Sequence, residues 1–176
     1  MMRTVSRLGV TLMAVALNIA AFSLAQASSP QPGQPEDAAQ AADLVVVMKS
    51  ERELYLYRDG LILAQYPIAL GLAPIGTKRM RGDDKTPIGA YTLDWRNPNS
   101  DFHRSIHISY PDAEDQSRAA ELGVSAGNNI MIHGQPDYDD RPRSGDWTHG
   151  CIAVSNTAID QIWARVPDGT PIHIYP

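Results

Sequence analysis

Between Leu44 and Leu70 the chain reads LVVVMKSERELYLYRDGLILAQYPIAL, and this stretch constrains the fold more than any other. Leu44 to Met48 is an apolar run of strand length. Leu54 to Tyr57 alternates, with Leu54 and Leu56 on one face. Asp59-Gly60 then supplies a hairpin turn before a third strand, Leu61 to Leu70. The fold therefore starts as an antiparallel sheet.

Strand signals continue to the end of the chain. Gly71 to Gly89 is too rich in Gly and Pro for a regular element and reads as a loop over one end of the sheet. Ala90 to Trp95 and His103 to Tyr110 read as two more strands. In the second, Arg104, Ile106 and Ile108 share one face, while His103, Ser105, His107 and Ser109 share the other. Period-two alternation alone accounts for both histidines. Asp112 to Leu122 predicts a surface helix, with Asp112 as N-cap and Glu114 four residues before Arg118. Asn129 to His133 is a strand that leads into a polar insertion, Gly134 to Thr148. Loops of this length inside a compact domain tend to be lids or binding loops. Ile152 to Val154 is a short strand, and Ser155 or Asn156 caps a helix whose Ile159, Ile162, Trp163 and Val166 form one apolar stripe. Pro167-Asp168-Gly169 stops that helix and turns the chain into a last strand, Pro171 to Tyr175. The inventory is one mostly β domain, residues 43–176, with two helices.

Two segments precede it. Arg3 and Arg7, an apolar stretch from Leu8 to Leu24, and Ala25-Gln26-Ala27 together read as an export signal peptide, residues 1–27, with cleavage after Ala27. A retained anchor is the rival reading, but the apolar stretch is short against the ~20 residues that span a bilayer and is interrupted by Asn18. Residues 28–42, rich in Pro, Gln, Ser and Ala, read as a flexible linker. Without the leader, 13 basic residues stand against 20 acidic ones. Such a chain disfavours nucleic acid and anionic membrane surfaces, which both need clustered Lys and Arg.

Export sharpens the question of the single cysteine. Cys151 has no intramolecular disulfide partner, and it sits in a tight Thr148-His149-Gly150-Cys151 segment. Upstream, His133 ends the apolar run Ile130-Met131-Ile132, as though a buried strand delivered an imidazole to its own tip. A thiol is nucleophilic as thiolate, and a nearby imidazole can take its proton, so this pair suffices to attack a carbonyl. The pairing predicts a thiol quick to alkylate near neutral pH, shielded from oxidation by the Gly134 to Thr148 loop. A different class, a wall-binding or zinc-holding module on His133, His149 and Cys151, is weakly supported. A structural zinc site wants four ligands, and no CxxC or HxxxH pair is present. No metal and no cofactor are expected.

Ile132-His133-Gly134, the long loop, and Thr148-His149-Gly150-Cys151 followed by Asn156 resemble the signature of the L,D-transpeptidase (YkuD-like) catalytic domain. Lys85-Thr86-Pro87-Ile88-Gly89 resembles the Thr-Pro-x-Gly segment of that family. The resemblance implies a β-sandwich-like fold with peripheral helices, acting in the periplasm or cell envelope on peptidoglycan stem peptides. Cys151 would attack the carbonyl following the L-centre of diaminopimelate, releasing the terminal D-alanine, and an amine would resolve the thioester. His133 matches the family's base and the Gly134 carbonyl the group that orients it. Amides around Gly150 and Cys151 fit the oxyanion role, and His149 would act on thiol or substrate or bond within the turn.

One departure is Ala153, where many members have an Arg thought to anchor a substrate carboxylate. Asp146-Trp147-Thr148, Cys151-Ile152-Ala153-Val154 and His107-Ile108-Ser109-Tyr110-Pro111 look more like the YafK-like branch, which includes an enzyme that releases a protein from peptidoglycan by hydrolysis. Water or an amine, with a wall-attached protein as a further partner, stay open on that resemblance. His107, Tyr110 and Trp147 are expected to line the substrate pocket.

Overall fold

The computed structural model describes residues 40–139, 141 and 143–176. The leader and all of the linker before Gln40 lie outside the described residues. Order reaches back to Ala42, which is buried and whose amide donates to the Arg165 carbonyl.

β1 (Leu44–Met48), β2 (Glu53–Arg58) and β3 (Leu61–Pro67) form the expected antiparallel start. Val45, Val47, Leu54 and Leu56 are fully buried, so the alternation read from the sequence is the alternation of the core. Asp59 and Gly60 both adopt positive φ, 51° and 77°, as a two-residue turn matched to the strands' twist requires. β4 (Gly89–Ser100) runs well beyond Trp95, because Asn97-Pro98-Asn99 continues the pairing with β5 (His103–Ile108) through two irregularities instead of ending it. α1 (Ala113–Glu121) begins at Asp112, whose side chain accepts from the Asp115 amide. β6 (Met131–His133), β7 (Ile152–Ala153), α2 (Asn156–Arg165) and β8 (Thr170–Tyr175) complete the chain.

All eight strands belong to one sheet in the order β3-β2-β1-β8-β4-β5-β6-β7. β8 lies between β1, parallel to it, and β4, antiparallel. The sheet curls until its two ends meet. Past β3, Ala69 exchanges both backbone hydrogen bonds with Ala153 of β7, at 2.8 and 2.9 Å. The sandwich-like fold is thus a single sheet folded over on itself. Ser155 caps α2 by accepting from the Ala158 amide. The helix packs on β5 and β6 through Ile159 and Ile162, both without exposure, while Trp163 lies partly buried beneath the guanidinium groups of Arg96 and Arg104.

The Gly71 to Gly89 loop is fixed by buried charge. Lys49 is 2% exposed, and its ammonium donates to the carbonyls of Gly76 at 2.6 Å and Thr86 at 2.8 Å. Burial lowers its pKa to about 8. Lys78 and Asp83 form a second buried pair within the loop at 2.8 Å. The interior Ile159 and Ile162 tie α2 to the strands that carry the site. Ile162→Ala is expected to cost about 2–5 kcal/mol of unfolding free energy, read as a lower urea midpoint with unchanged slope. A loss under 1 kcal/mol would mean that the stripe is not core.

Candidate active site

β6 and β7 run parallel, with Ile132 opposite Ile152 and His133 opposite Ala153. Continuing that register puts Cys151 beside Met131. Side chains two residues apart on a strand share a face, so Met131 and His133, and with them Cys151, are directed to one side of the sheet. His133 and Cys151 both line a single cavity of about 700 Å³.

His133 is 4% exposed. Its Nδ1 lies 2.7 Å from the Gly134 carbonyl oxygen, which can only accept, so Nδ1 carries the proton of the neutral ring and Nε2 keeps its lone pair. The rings of Phe102 at 4.6 Å and Trp147 at 5.7 Å pack on the imidazole. That burial lowers the His133 pKa, opposed in part by the Gly134 hydrogen bond. The Gly134 position has no room for a side chain, since a Cβ there would lie 2.5 Å from Asn156 Oδ1. The same oxygen accepts from the Gln135 amide at 2.7 Å. Asn156 thus holds the chain that leaves the histidine.

Cys151 is partly exposed, and its Sγ lies 3.6 Å from the Asn129 carbonyl, to which the thiol donates. Burial raises the thiol pKa, with the Met131 amide as the main opposing influence. Burial therefore drives sulfur and imidazole both toward their neutral forms, in the direction opposite to the ready thiolate that the residue pairing alone suggests. Desolvation outweighs the local dipoles.

The turn before the sulfur is built by packing. Gly150 has φ 120°, and a Cβ on it would lie 2.6 Å from the Lys85 carbonyl oxygen. Gly71 is closer still, with a Cβ 2.0 Å from the Asp84 carbonyl oxygen. The Lys85-Thr86-Pro87-Ile88-Gly89 segment thus lies directly against the cysteine turn, through gaps that only glycine leaves. Thr148 Oγ1 donates to the Cys151 carbonyl at 2.7 Å and accepts from the Gly150 amide at 3.1 Å. Of the two amides expected to face an oxyanion, that of Gly150 is therefore already engaged. His149 bonds Asp84 through Nδ1 at 2.8 Å and is 84% exposed on its side chain, so it links the turn to the neighbouring loop.

The Gly134 to Thr148 insertion forms one wall of the cavity through Tyr138, Arg143, Trp147 and Thr148. Its far end is pinned by Asp146, which accepts from Arg52 Nη2 at 2.7 Å and from the Leu70 amide at 2.8 Å. Its near end is sewn to the β4–β5 hairpin, where the Asp137 amide donates to the Asp101 carbonyl and the His103 amide donates to the Asp137 carboxylate.

Of the three expected pocket residues, only Trp147 lines the cavity. His107 bonds Asp94 at 2.7 Å and stacks on Trp95, so it supports a lining ring from behind. Tyr110 is 2% exposed and its hydroxyl donates to the Ala126 carbonyl, which makes it a core residue. Both sit past the stretch of β5 that borders the cavity at Ser105. Phe102, Asn129, Asp101 and Arg143 were missed. For Asn129 a signal existed: its φ of 58° is a conformation that Asn tolerates, just before a strand. Phe102 and Asp101 became visible only with the extended hairpin.

Residues 42–174 match the family described as the L,D-transpeptidase catalytic domain. YafK of Escherichia coli K12, an L,D-transpeptidase by name, is 31% identical over 129 residues, which are 69% of this chain and 46% of YafK. The helical cell shape determining protein Pgp2 of Campylobacter jejuni has a similar structure, with TM-score 0.60 and 28% identity over 77% of this chain and 48% of that one. Bd1075 of Bdellovibrio bacteriovorus gives TM-score 0.53 and 26% identity over 80% of this chain and 50% of its own. The chain spans about half the length of these relatives.

The raised thiol pKa fixes a sign. At pH 7 the thiolate fraction of Cys151 should lie below that of free cysteine, so iodoacetamide should alkylate it more slowly, with the rate climbing only above the ordinary cysteine range. Fast alkylation at neutral pH would instead mean a preformed thiolate–imidazolium pair. Gly150→Ala should push the turn off the Lys85 carbonyl and lower both stability and turnover, measured by melting and by product formation. A variant that melts and reacts like the parent would remove the packing argument.

Proposed function

This chain belongs to the L,D-transpeptidase (YkuD) catalytic-domain family, and from that premise we propose that it is a peptidoglycan-modifying cysteine acyltransferase of the cell envelope. The observation that carries this reading is a buried imidazole, fixed by the Gly134 carbonyl with Nε2 unprotonated, in one cavity with the only sulfhydryl of the chain.

Burial favours the neutral thiol and the neutral imidazole, which supports a proton transfer that accompanies attack. As Cys151 Sγ bonds to the carbonyl carbon of the L-centre of a stem peptide, its proton passes to His133 Nε2. The imidazolium so formed sits among Phe102 and Trp147, and the Gly134 carbonyl stabilises it through Nδ1–H. The developing oxyanion faces the Cys151 amide, since the Gly150 amide is held by Thr148. Collapse of the adduct breaks the carbon–nitrogen bond, and His133 returns the proton to the leaving D-alanine amine. The thioester is then attacked by an acceptor amine that gives a proton to His133, and the sulfur leaves as a thiol. The acceptor is a second stem, or an amine of a protein destined for the wall. The basic and apolar leader, residues 1–27, supports an exported location.

Product analysis of purified protein with a defined stem tetrapeptide, with and without an amine acceptor, tests the proposal. Transfer predicts cross-linked or amine-exchanged products, whereas products of water attack alone would make the same site a hydrolase and overturn the transfer reading. Cys151→Ala should abolish turnover, and His133→Ala should lower it by roughly 10²–10⁴-fold with the fold intact. Near-parental rates in either variant would contradict the mechanism.

A further inference from the structure

Among the described residues that line the cavity, Arg143 is the one Lys or Arg and Asp101 the one Asp or Glu. They come from different segments, Arg143 from the Gly134 to Thr148 loop and Asp101 from the β4–β5 hairpin. They do not pair with each other, and neither has an ion-pair partner among the described residues. The Arg143 guanidinium lies over the rings of Trp147 at 4.9 Å and Tyr138 at 5.8 Å, and Nη2 donates to the Tyr138 hydroxyl at 3.3 Å. Asp139, whose carboxylate feels the charge of Arg143, is itself bonded by Arg141. Stacking fixes the plane of a guanidinium while leaving donors on its edge, which is the geometry that grips a carboxylate with two parallel hydrogen bonds. The Asp101 carboxylate accepts no hydrogen bond among the described residues and, lining the same cavity, offers its oxygens to an ammonium.

We propose that Arg143 and Asp101 form a recognition site for a free amino-acid end, an ammonium and a carboxylate on one carbon, with Arg143 binding the carboxylate and Asp101 the ammonium. This deepens the acyl-transfer reading and rests on it, because in a stem peptide such an end is the tip of the diaminopimelate side chain. Two separated charges of opposite sign match a zwitterion better than either ion alone, since a simple anion would be repelled by Asp101 and a simple cation by Arg143. The cation of this cavity comes from the Gly134 to Thr148 loop.

Calorimetry on the full chain carrying Cys151→Ala reads binding without chemistry. The probes are three synthetic stem tetrapeptides: one with the zwitterionic tip, one with that carboxyl amidated and one with that amine acetylated. Each modification should weaken binding about five- to tenfold, between the worth of an exposed ion pair and that of a charge-assisted hydrogen bond. Arg143→Met should erase the penalty for amidation alone, Asp101→Asn should erase the penalty for acetylation alone, and Arg143→Lys should keep part of the former. Equal affinity for the three probes, or penalties that persist in both variants, would overturn the proposal. If the preferences hold while the Cys151 protein yields no acyl-transfer product, the site stands and the acyl-transfer reading falls.

Discussion

The hydrogen bond from His133 Nδ1 to the Gly134 carbonyl, buried and 2.7 Å long, is the constraint on which the site depends. It fixes the tautomer, orients the ring and leaves Nε2 as the only basic position, all within one residue of the strand that carries the ring. The position that supplies the accepting carbonyl needs glycine, because Asn156 Oδ1 occupies the space a side chain would take. Asn156 begins α2, and α2 is held by Ile159 and Ile162 against the strands beneath. Core packing and imidazole orientation are thus consecutive links of one chain of contacts.

The sulfur is placed by a second chain of contacts. Lys49 and the Lys78–Asp83 pair fasten the Gly71 to Gly89 loop, which presses the Asp84 and Lys85 carbonyls against Gly71 and Gly150. Burying an ammonium costs free energy unless it is hydrogen-bonded, and the carbonyls of Gly76 and Thr86 supply the bonds for Lys49. The parallel pairing of β6 with β7 then joins the two halves, so that Cys151 and His133 line one cavity although 17 residues separate them in the chain. Their shared burial pushes both toward their neutral forms. A neutral thiol is also less open to oxidation than a thiolate, since oxidation follows thiolate character.

Much of this was legible in the sequence, for identifiable reasons. The β1–β3 alternation, the Asp59-Gly60 turn, the Asp112 and Ser155 caps and the α2 stripe are local patterns, and each fixes its own structure. The His133–Gly134 bond joins neighbours in the chain, whereas the meeting of His133 and Cys151 in one cavity rests on the distant pairing of β6 with β7, to which only the resemblance pointed. What escaped depends on distant packing. The upward push on the Cys151 thiol follows from the desolvation of its surroundings, which no spacing reveals. His107 lies on β5 and Tyr110 just past its end, and those positions put His107 against Trp95 and Tyr110 in the core. Asp101 and Arg143 carry no local pattern and acquire meaning only because a hairpin and a loop close on the same cavity.

Intact-protein mass spectrometry after mixing with a stem tetrapeptide, without an acceptor, tests the central claim most directly. The account predicts a mass gain equal to the peptide less its terminal D-alanine, mapped to Cys151 by digestion and absent from Cys151→Ala and His133→Ala. An unchanged mass, or an adduct on any other residue, would contradict it.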